Sequence, residues 1–214
     1  MRVARTTAFL DLCGFTAFNA EHGDERATEL LAGFRFAARS ATERRGLRLV
    51  KWLGDGVMIS SPESEPLLAG VAEIMFSVAQ SDSLPLRAGV CRGKVIMFEG
   101  DDYIGSPINM ASRMCDKAQP GQILVAGVDS QWVPWFCSSI ELEKLDGSLL
   151  GQAEEVNVIQ IQLEPGPHPL TDPVCGLPLN ARRMPQLAQD PSTPIFCSSI
   201  CRTYWQSEVS GTPL

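Results

Sequence analysis

Two stripes of apolar residues at helical spacing, separated by short apolar runs, constrain the fold of this chain most strongly. The first stripe consists of Leu30, Leu31, Phe34, Ala37, Ala38 and Ala41, and the second of Leu67, Leu68, Val71, Ile74, Met75 and Val78. Each stripe predicts a helix that buries one face. Residues 47–53 and 57–60, between the stripes, predict a β-hairpin, and residues 86–91 and 94–98 predict a second one. Helices that alternate with strand pairs in this way predict an α/β architecture.

The second half of the chain continues this pattern. Pro107 fits the first turn of a helix that runs to about residue 118, where Gln119-Pro120-Gly121 predicts a turn. Residues 123–125, 140–145 and 156–163 are the remaining strand candidates. The whole pattern predicts an α/β sandwich.

Two aspartates occupy positions where a carboxylate can point outward. Asp11 lies near the end of the apolar run 8–12, and Asp55 lies in the tight turn of the first predicted hairpin. Together they supply hard oxygen ligands for Mg²⁺ or Mn²⁺, which can activate a hydroxyl and neutralise a displaced pyrophosphate. Taken singly, Asp11 could simply end a strand, and Asp55-Gly56 is a strong hairpin signal in its own right.

Asn109 and Arg113 lie four residues apart in the helix predicted after Pro107, so they share one face of it. Arg113 offers a planar, permanently charged group that suits a phosphoryl oxygen. Alone, the two residues would indicate a solvated helix face. Their occurrence after the two aspartates, in this order, favours a nucleotide site.

Residues 5–130 resemble the catalytic domain of the class III adenylate and guanylate cyclases. The matching blocks are FLDLCGFTAF, KWLGDGVMI, LRAGVCRGKV and GDDYIGSPINMASRM followed by QPGQILV. The resemblance implies a ferredoxin-like βαββαβ core with extra C-terminal strands. It also implies that Asp11 and Asp55 bind two Mg²⁺ or Mn²⁺ ions per active site, and that ATP is converted to 3′,5′-cyclic AMP and pyrophosphate.

Four further positions take their roles from the same resemblance. It implies that Lys51 and Asp102 read adenine, that Asn109 orients the ribose and that Arg113 stabilises the transition state. A lysine donor and a carboxylate acceptor suit adenine, whereas family guanylate cyclases carry Glu and a small polar residue or Cys there. Lys51 alone could be an exposed strand lysine, and Asp101 competes with Asp102. The prediction is therefore an adenylate cyclase, with a guanylate cyclase or a non-catalytic nucleotide- or metal-sensing dimer as alternatives.

Family geometry implies a homodimer in which each active site is shared. One subunit provides the two metal-binding aspartates, and the other provides the base-reading pair with the Asn-Arg pair. The link over residues 94–105 resembles the subgroup with a short dimerisation arm. Lys144 lies where relatives carry a basic residue that contacts the triphosphate, although a solvated lysine is the simpler interpretation. Neither His22 nor His168 lies in a matching block, so neither is predicted to be catalytic.

A change in composition marks the C-terminal part of the chain. Residues 164–170 are rich in Pro and predict a linker between a cyclase domain, 1–163, and a small module, 171–214. In that module Cys175, Cys197 and Cys201 resemble the YHS and TRASH-type metal-sensing modules, which couple DPVCG to FCSxxC. Three such thiols can converge on Zn²⁺ or Cu⁺, although no fourth ligand is evident. The alternative is a small apolar appendage with buried cysteines. The other cysteines are predicted to be core or incidental thiols: Cys13, Cys91, Cys115 and Cys137.

Charge and cysteine content limit the partners and the location. A net charge of −7 at pH 7 argues against nucleic acid as a partner. Seven cysteines, an odd number spread along 214 residues, indicate reduced thiols and a cytoplasmic protein. No signal-peptide pattern is present, and no apolar run reaches the roughly 20 residues of a membrane span.

Overall fold

The computed structural model describes residues 2–81, 83–99, 102–128, 139–150, 156–162, 170–179 and 194–210. Within these residues the strands are β1 (Arg2–Leu12), β2 (Arg48–Leu53), β3 (Gly56–Ser61), β4 (Leu86–Phe98), β5 (Asp102–Ile104), β6 (Gln122–Ala126), β7 (Ser139–Leu145) and β8 (Val156–Gln162). The helices are α1 (Phe15–Arg44), α2 (Ser64–Ala79), α3 (Ser106–Lys117) and α4 (Ser199–Ser210).

One sheet joins all of these strands. Its order is β2-β3-β1-β4-β6-β8-β7, with β5 paired to the far end of β4. The segment β2-β3-β1-β4 is antiparallel throughout and, with α1 and α2 as its connections, forms the predicted ferredoxin-like βαββαβ core. The parallel pair β4–β6 then extends the sheet, followed by β8 and β7. The predicted fold class is confirmed, including the additional C-terminal strands.

Alternation along the strands gives the sheet two buried faces. On β1, Ala8, Leu10 and Leu12 belong to the main core with α1 and α2, while Phe9 packs on the opposite side. That opposite side holds buried residues of α3, among them Met114. Successive strand side chains point to opposite faces, so this alternation requires a helical layer on each face. The chain is therefore a sandwich, with α1 and α2 on one face and α3 on the other.

Both predicted apolar stripes are core. Every residue of the second stripe is at most 4% exposed on α2, and each such buried Leu or Ile contributes about 1.5–3 kcal/mol. The first stripe lies on α1, where Phe34, Ala38 and Ala41 are buried and the other members are partly buried against the same core.

The second predicted hairpin is wrong, because β4 runs without a turn through residues 86–98. Arg92 and Gly93 lie between the two runs that were predicted as separate strands. Gly93 instead permits a close approach: a Cβ at this position would lie 2.3 Å from Cγ of Pro107 at the start of α3. A glycine inside a strand marks such an approach as readily as it marks a turn.

Part of the C-terminal segment packs on the main hydrophobic core. Leu177, Leu179 and Phe196 are buried in the same cluster as α1 and α2. Most of the predicted linker lies outside the described residues, and the proposed domain boundaries stay a prediction. None of the helices in the described ranges has the length and hydrophobicity that crossing a bilayer requires.

Candidate active site and C-terminal cysteine cluster

Strand pairing brings the two predicted metal ligands to one end of the sheet. Asp11 on β1 is in register with Gly56 on β3, which directly follows Asp55. Gly54 has a φ of 67° and allows the tight turn that holds Asp55 between β2 and β3. A Cβ on Gly56 would lie 2.9 Å from the Leu10 carbonyl oxygen and 3.3 Å from Oδ1 of Asp11, so the turn fits closely against β1.

The charges at this end favour a cation. Burial and then the nearby Asp11 carboxylate raise the pKa of Asp55, against the lowering effects of a hydrogen bond from its own backbone and of Arg87. Two neighbouring carboxylates, which offer oxygen donors only, form the donor set that Mg²⁺ and Mn²⁺ prefer. The residues present therefore fit the two-metal centre that the resemblance implies.

Arg87 is part of this site, although the sequence analysis did not single it out. On β4 it lies in register with Asp11, and its Nη2 and Nε donate to Oδ2 of Asp11 at 2.8 and 3.1 Å. Its Nη1 donates to the Asp116 backbone oxygen at 2.8 Å. The available signal was the basic residue at the second position of the LRAGVCRGKV block, and the strand register alone shows that it faces Asp11.

Lys51 and Asp102, the residues predicted to recognise adenine, form an ion pair. Nζ of Lys51 lies 2.6 Å from Oδ2 of Asp102, and each side chain keeps about two fifths of its surface exposed. Lys51 follows a bulge in β2 after Leu49, and such bulges re-aim a side chain. The hydrogen bond from Lys51, and then that from the Tyr103 backbone, lower the pKa of Asp102. Asp101, the competing acid, lies outside the described residues.

Asn109 and Arg113 lie one turn apart on α3, and both are exposed. Gly89 sets the position of this helix, because a Cβ there would lie 2.1 Å from the Ala111 carbonyl oxygen. Among the described residues, no hydrogen bond or ion pair engages either side chain or links it to the aspartates or to Lys51. Both side chains are therefore available to a ligand or to a second subunit.

Proteins of known name resemble this chain in sequence or in structure. The chain is 38% identical over 122 residues to a pH-sensitive adenylate cyclase of Mycobacterium tuberculosis, covering 56% of this chain and 30% of the relative. The adenylyl cyclase CyaB from P. aeruginosa has a similar structure, with a TM-score of 0.60, 21% identity and coverage of 77% of this chain and 96% of that chain. The guanylyl cyclase Cya2 is similar at a TM-score of 0.62 and 18% identity, over 79% and 97%. No family model matches the chain.

The chain has the fold of a class III nucleotide cyclase catalytic domain. The predicted resemblance of the cyclase domain is thereby confirmed. The chain spans less than a third of the length of the curated relatives that it matches. The fold occurs in both adenylyl and guanylyl cyclases, so the preference for a base has to be argued from the residues.

The remaining predicted residues lie on other elements or outside the described ranges. Lys144 is exposed on β7, opposite Asn157 of β8. His22 is exposed on α1 and stacks on Phe18 at 4.4 Å, whereas His168 and Cys137 are not described. Cys91 and Cys115 are buried in the cyclase core, and burial raises the pKa of each thiol to about 12.

The structure brings the three C-terminal cysteines together. Sγ of Cys197 lies 3.6 Å from Sγ of Cys175 and 3.6 Å from Sγ of Cys201. Asp172, which the sequence analysis missed, joins them: its carboxylate and the three sulfurs all lie within 4.8 Å of one another. Asp172 is buried and accepts hydrogen bonds from the backbone N–H groups of Val174, Cys175 and Cys197. The DPVCG motif therefore forms a turn that its own carboxylate stabilises.

A buried arginine of the cyclase core contacts this cluster. Arg45, just after α1, donates from Nη2 to the sulfurs of Cys175 and Cys197 at 3.2 Å each. Its Nη1 donates to Oγ of Ser198 at 3.0 Å, and its Nε to Glu73 of α2 at 2.7 Å. The Arg45 side chain has no exposed surface. Burial alone would lower its pKa, but negative charge on Cys197 and Glu73 raises the pKa overall.

The pKa values of the cysteines in this cluster are shifted in opposite directions. Hydrogen bonds from Cys175 and Cys197 lower the pKa of Cys201, and Arg45 adds to that effect. Hydrogen bonding to Cys197 and Cys201, followed by burial, raises the pKa of Cys175. These neighbours therefore favour the thiolate form of Cys201, which is the form that binds metals.

Proposed function

We propose that the chain is an adenylate cyclase domain that converts ATP to 3′,5′-cyclic AMP and pyrophosphate. The observation that carries this proposal is the Lys51–Asp102 ion pair, which unites the two residues expected to read adenine. Adenine presents an amino donor beside a ring acceptor, and a carboxylate beside an ammonium complements that edge. Guanine presents the reverse pattern and would leave both groups unpaired, which is a strong basis for discrimination.

The ends of β1 and of the β2–β3 turn would provide the metal centre. Asp11 and Asp55 would hold two Mg²⁺ or Mn²⁺ ions. When bound, these ions supply Lewis acidity that lowers the pKa of the ribose 3′-hydroxyl and offsets the charge of the departing pyrophosphate. Arg87 already contacts Asp11 and presents a planar cation beside the place that a triphosphate would occupy.

The reaction forms one bond and breaks another at the α-phosphorus. The ribose 3′-oxygen attacks, its proton passes to solvent, and the bond from the α-phosphorus to the bridging oxygen of pyrophosphate breaks. Arg113 would donate to the phosphoryl oxygens as negative charge builds on them, and Asn109 would hold the ribose in line.

A homodimer would complete each active site. The β4–β5 ribbon presents four large apolar side chains to solvent, each between 39% and 51% exposed: Ile96, Met97, Phe98 and Ile104. Ile96, Phe98 and Ile104 share one face of this ribbon, and exposed apolar surface of this kind favours a protein partner. A two-fold axis placed here would let the aspartates of one subunit meet Asn109 and Arg113 of the other. This explains why those two side chains have no partner among the described residues of one chain.

The test is nucleotide turnover by the purified protein with Mn²⁺ and then Mg²⁺. ATP and GTP are offered separately, and cyclic product is measured beside an Asp55→Ala control of confirmed dimeric state. Cyclic AMP from ATP, lost in the control, would support the proposal. Cyclic GMP as the main product would favour a guanylate cyclase. A dimer that binds ATP without forming either product would favour the non-catalytic module.

A further inference from the structure

Two arginines of α1 lie over one tryptophan of β2, at the outer edge of the sheet. Cζ of Arg35 lies 5.0 Å from the centroid of the Trp52 ring, and Cζ of Arg39 lies 5.6 Å from it. The two arginines are one turn apart on α1, and Trp52 is partly buried, with its ring edge to face with Phe34. Arg35, Arg39 and Trp52 form the Arg–Trp cluster, which has no part in the proposed cyclase reaction.

The positive charge of this cluster is not balanced within the described part of the chain. Residues 35–51 contain six Lys and Arg residues and one acid, Glu43, although the chain as a whole has a net charge of −7. The other four basic residues have partners: Arg44 and Arg45 pair with Glu73, Lys51 pairs with Asp102, and Arg48 lies over the Tyr103 ring. No described carboxylate pairs with Arg35 or Arg39, and Nε of Arg35 is buried without an acceptor among the described residues.

The geometry of the Arg–Trp cluster suits a compact anion. Like charges on adjacent turns of one helix repel each other, and a bound anion removes that repulsion. Contact with the indole ring holds both guanidiniums in place, whereas their N–H donors lie in the guanidinium plane and are not consumed by the ring. Side chains that are fixed in advance lose less entropy when a ligand binds. The cluster therefore has the properties of a preformed anion site.

We propose that the Arg–Trp cluster binds a dianionic phosphate group. Arginine side chains bind phosphate oxygens in a bidentate manner, and a phosphate monoester carries a charge of about −1.5 to −2 at pH 7. That charge balances both guanidiniums, whereas a carboxylate balances only one of them. Glu25, Glu29 and Glu43 are exposed on the same helix and disfavour an extended polyanion such as a nucleic acid. The inference goes beyond the proposed cyclase function and does not depend on it.

An anion bound at this cluster would also stabilise the strand that carries Lys51. Trp52 directly follows Lys51 on β2, which is an edge strand among the described residues. When β2 opens locally, Trp52 leaves the two arginines, and the bound anion loses the support that the ring gives to them. By linkage, the anion opposes this opening by the same factor that the ring contributes to binding. That factor is about 2- to 5-fold, the range for cation–π contacts at exposed sites.

The first experiment measures binding of inorganic phosphate to the full chain by NMR titration of the arginine Nε signals. The buffer is freed of divalent metal ions, so that no metal recruits phosphate to Asp11 and Asp55. Wild-type protein and Arg26→Gln, which removes an exposed arginine of α1 that pairs with Glu29, are expected to bind equally. Arg35→Gln and Arg39→Gln should each weaken binding about 10- to 100-fold, because each removes charge-assisted hydrogen bonds. No binding by wild type, or equal binding by all four proteins, would overturn the proposal.

The second experiment identifies the source of the phosphate group. A soluble phosphate monoester and a phosphorylated side chain present the same dianion, so O-phosphoserine is compared with the peptide Gly-Gly-phosphoserine-Gly-Gly. Both should bind more weakly at pH 5 than at pH 7.5, because the second pKa of the phosphate is about 6. Equal affinities support a soluble ligand, and tighter binding of the peptide supports a phosphorylated protein. If Gly-Gly-Asp-Gly-Gly binds as tightly as the phosphorylated peptide, the phosphate assignment is refuted.

Hydrogen exchange of the unmutated protein tests the role of Trp52. Saturating phosphate should slow exchange of the β2 amides about 2- to 5-fold, because the anion opposes local opening of this strand. The amides of β7, a strand at the opposite end of the sheet, should exchange at the same rate with and without phosphate. Unchanged exchange in β2 under saturating phosphate would show that Trp52 is not part of the site, and the proposal would fail.

Discussion

Gly89→Ala is expected to displace α3 and with it Arg113. A Cβ on Gly89 would lie 2.1 Å from the Ala111 carbonyl oxygen, 2.3 Å from the Cys115 nitrogen and 2.9 Å from the Met114 carbonyl carbon. All three atoms are backbone, so no rotamer change can relieve the contact. Ordinary contact begins at 3.4 Å, and the difference from 2.1 Å means that α3 must withdraw by 1.3 Å.

Two effects of different size follow from this displacement. Overpacking of a core costs about 1–3 kcal/mol and more where the backbone must move, so we expect about 3 kcal/mol here. For a chain of this length, that loss lowers the melting temperature by about 6–12 °C. A catalytic group misplaced by about 1 Å can cost about 100-fold in rate, and we expect a loss of that order in cyclic AMP formation.

The assay combines thermal unfolding with turnover of ATP, and Gly33→Ala is the matched control. Gly33 is exposed on α1, and a Cβ there meets nothing within 4 Å. Its replacement should stabilise the helix by about 0.5–1 kcal/mol and leave turnover unchanged. If Gly89→Ala melts and turns over like wild type, then the close packing of α3 on β4 does not position Arg113 and the reasoning is refuted.

Three further predictions concern the metal centre, the base-reading pair and the dimer. Asp55→Asn should abolish turnover yet stabilise metal-free protein at pH 7 by a few tenths of a kcal/mol, after allowance for solvent screening. The raised pKa of Asp55 means that ionisation of this carboxyl destabilises the folded protein. This destabilisation develops as the pH rises through that pKa. Melts near pH 3, below the usual Asp pKa of about 3.9, should therefore show no stabilisation of the Asn variant over wild type. Lys51→Met should return the pKa of Asp102 towards about 3.9, measured by NMR of the carboxyl carbon; an unchanged pKa would exclude the ion pair in solution. Phe98→Asp should yield inactive monomers in sedimentation, whereas Phe36→Asp, at a residue 73% exposed on α1, should leave an active dimer; a dimeric Phe98→Asp protein would argue against the β4–β5 interface.

The elements with strong local patterns were predictable from the sequence. Helical spacing located α1 and α2 because their apolar faces repeat over several turns, and Pro107 marked the start of α3. The continuous β4 was missed because Gly93 is explained by Pro107, a residue distant in sequence that packs against it only in the fold.

Site residues that depend on tertiary contacts were harder to predict. Arg87 acquires its place from strand register with Asp11. Arg45 follows Arg44 at the end of a helix, where basic residues usually interact with the helix dipole at the surface. Its burial depends on a segment more than a hundred residues further along the chain. The sequence marks Asp172 as a turn residue, and the structure confirms the turn. The same turn also places the Cys175 sulfur beside the other two cysteines of the cluster.

The positions of β1 and β2 within the sheet give Asp11 and Lys51 different local stability. β1 is hydrogen-bonded along its length to β4 and, near Asp11, also to β3, whereas β2 has a strand neighbour on one side only among the described residues. Amide protons at the centre of a sheet exchange with solvent mainly through global opening, and those at an edge through local fraying. Asp11 therefore belongs to the most persistent part of the molecule, while Lys51 lies on a strand that can open locally. Local opening of β2 would therefore move Lys51 and the adjoining Asp55 turn together, while Asp11 keeps its position at the centre of the sheet.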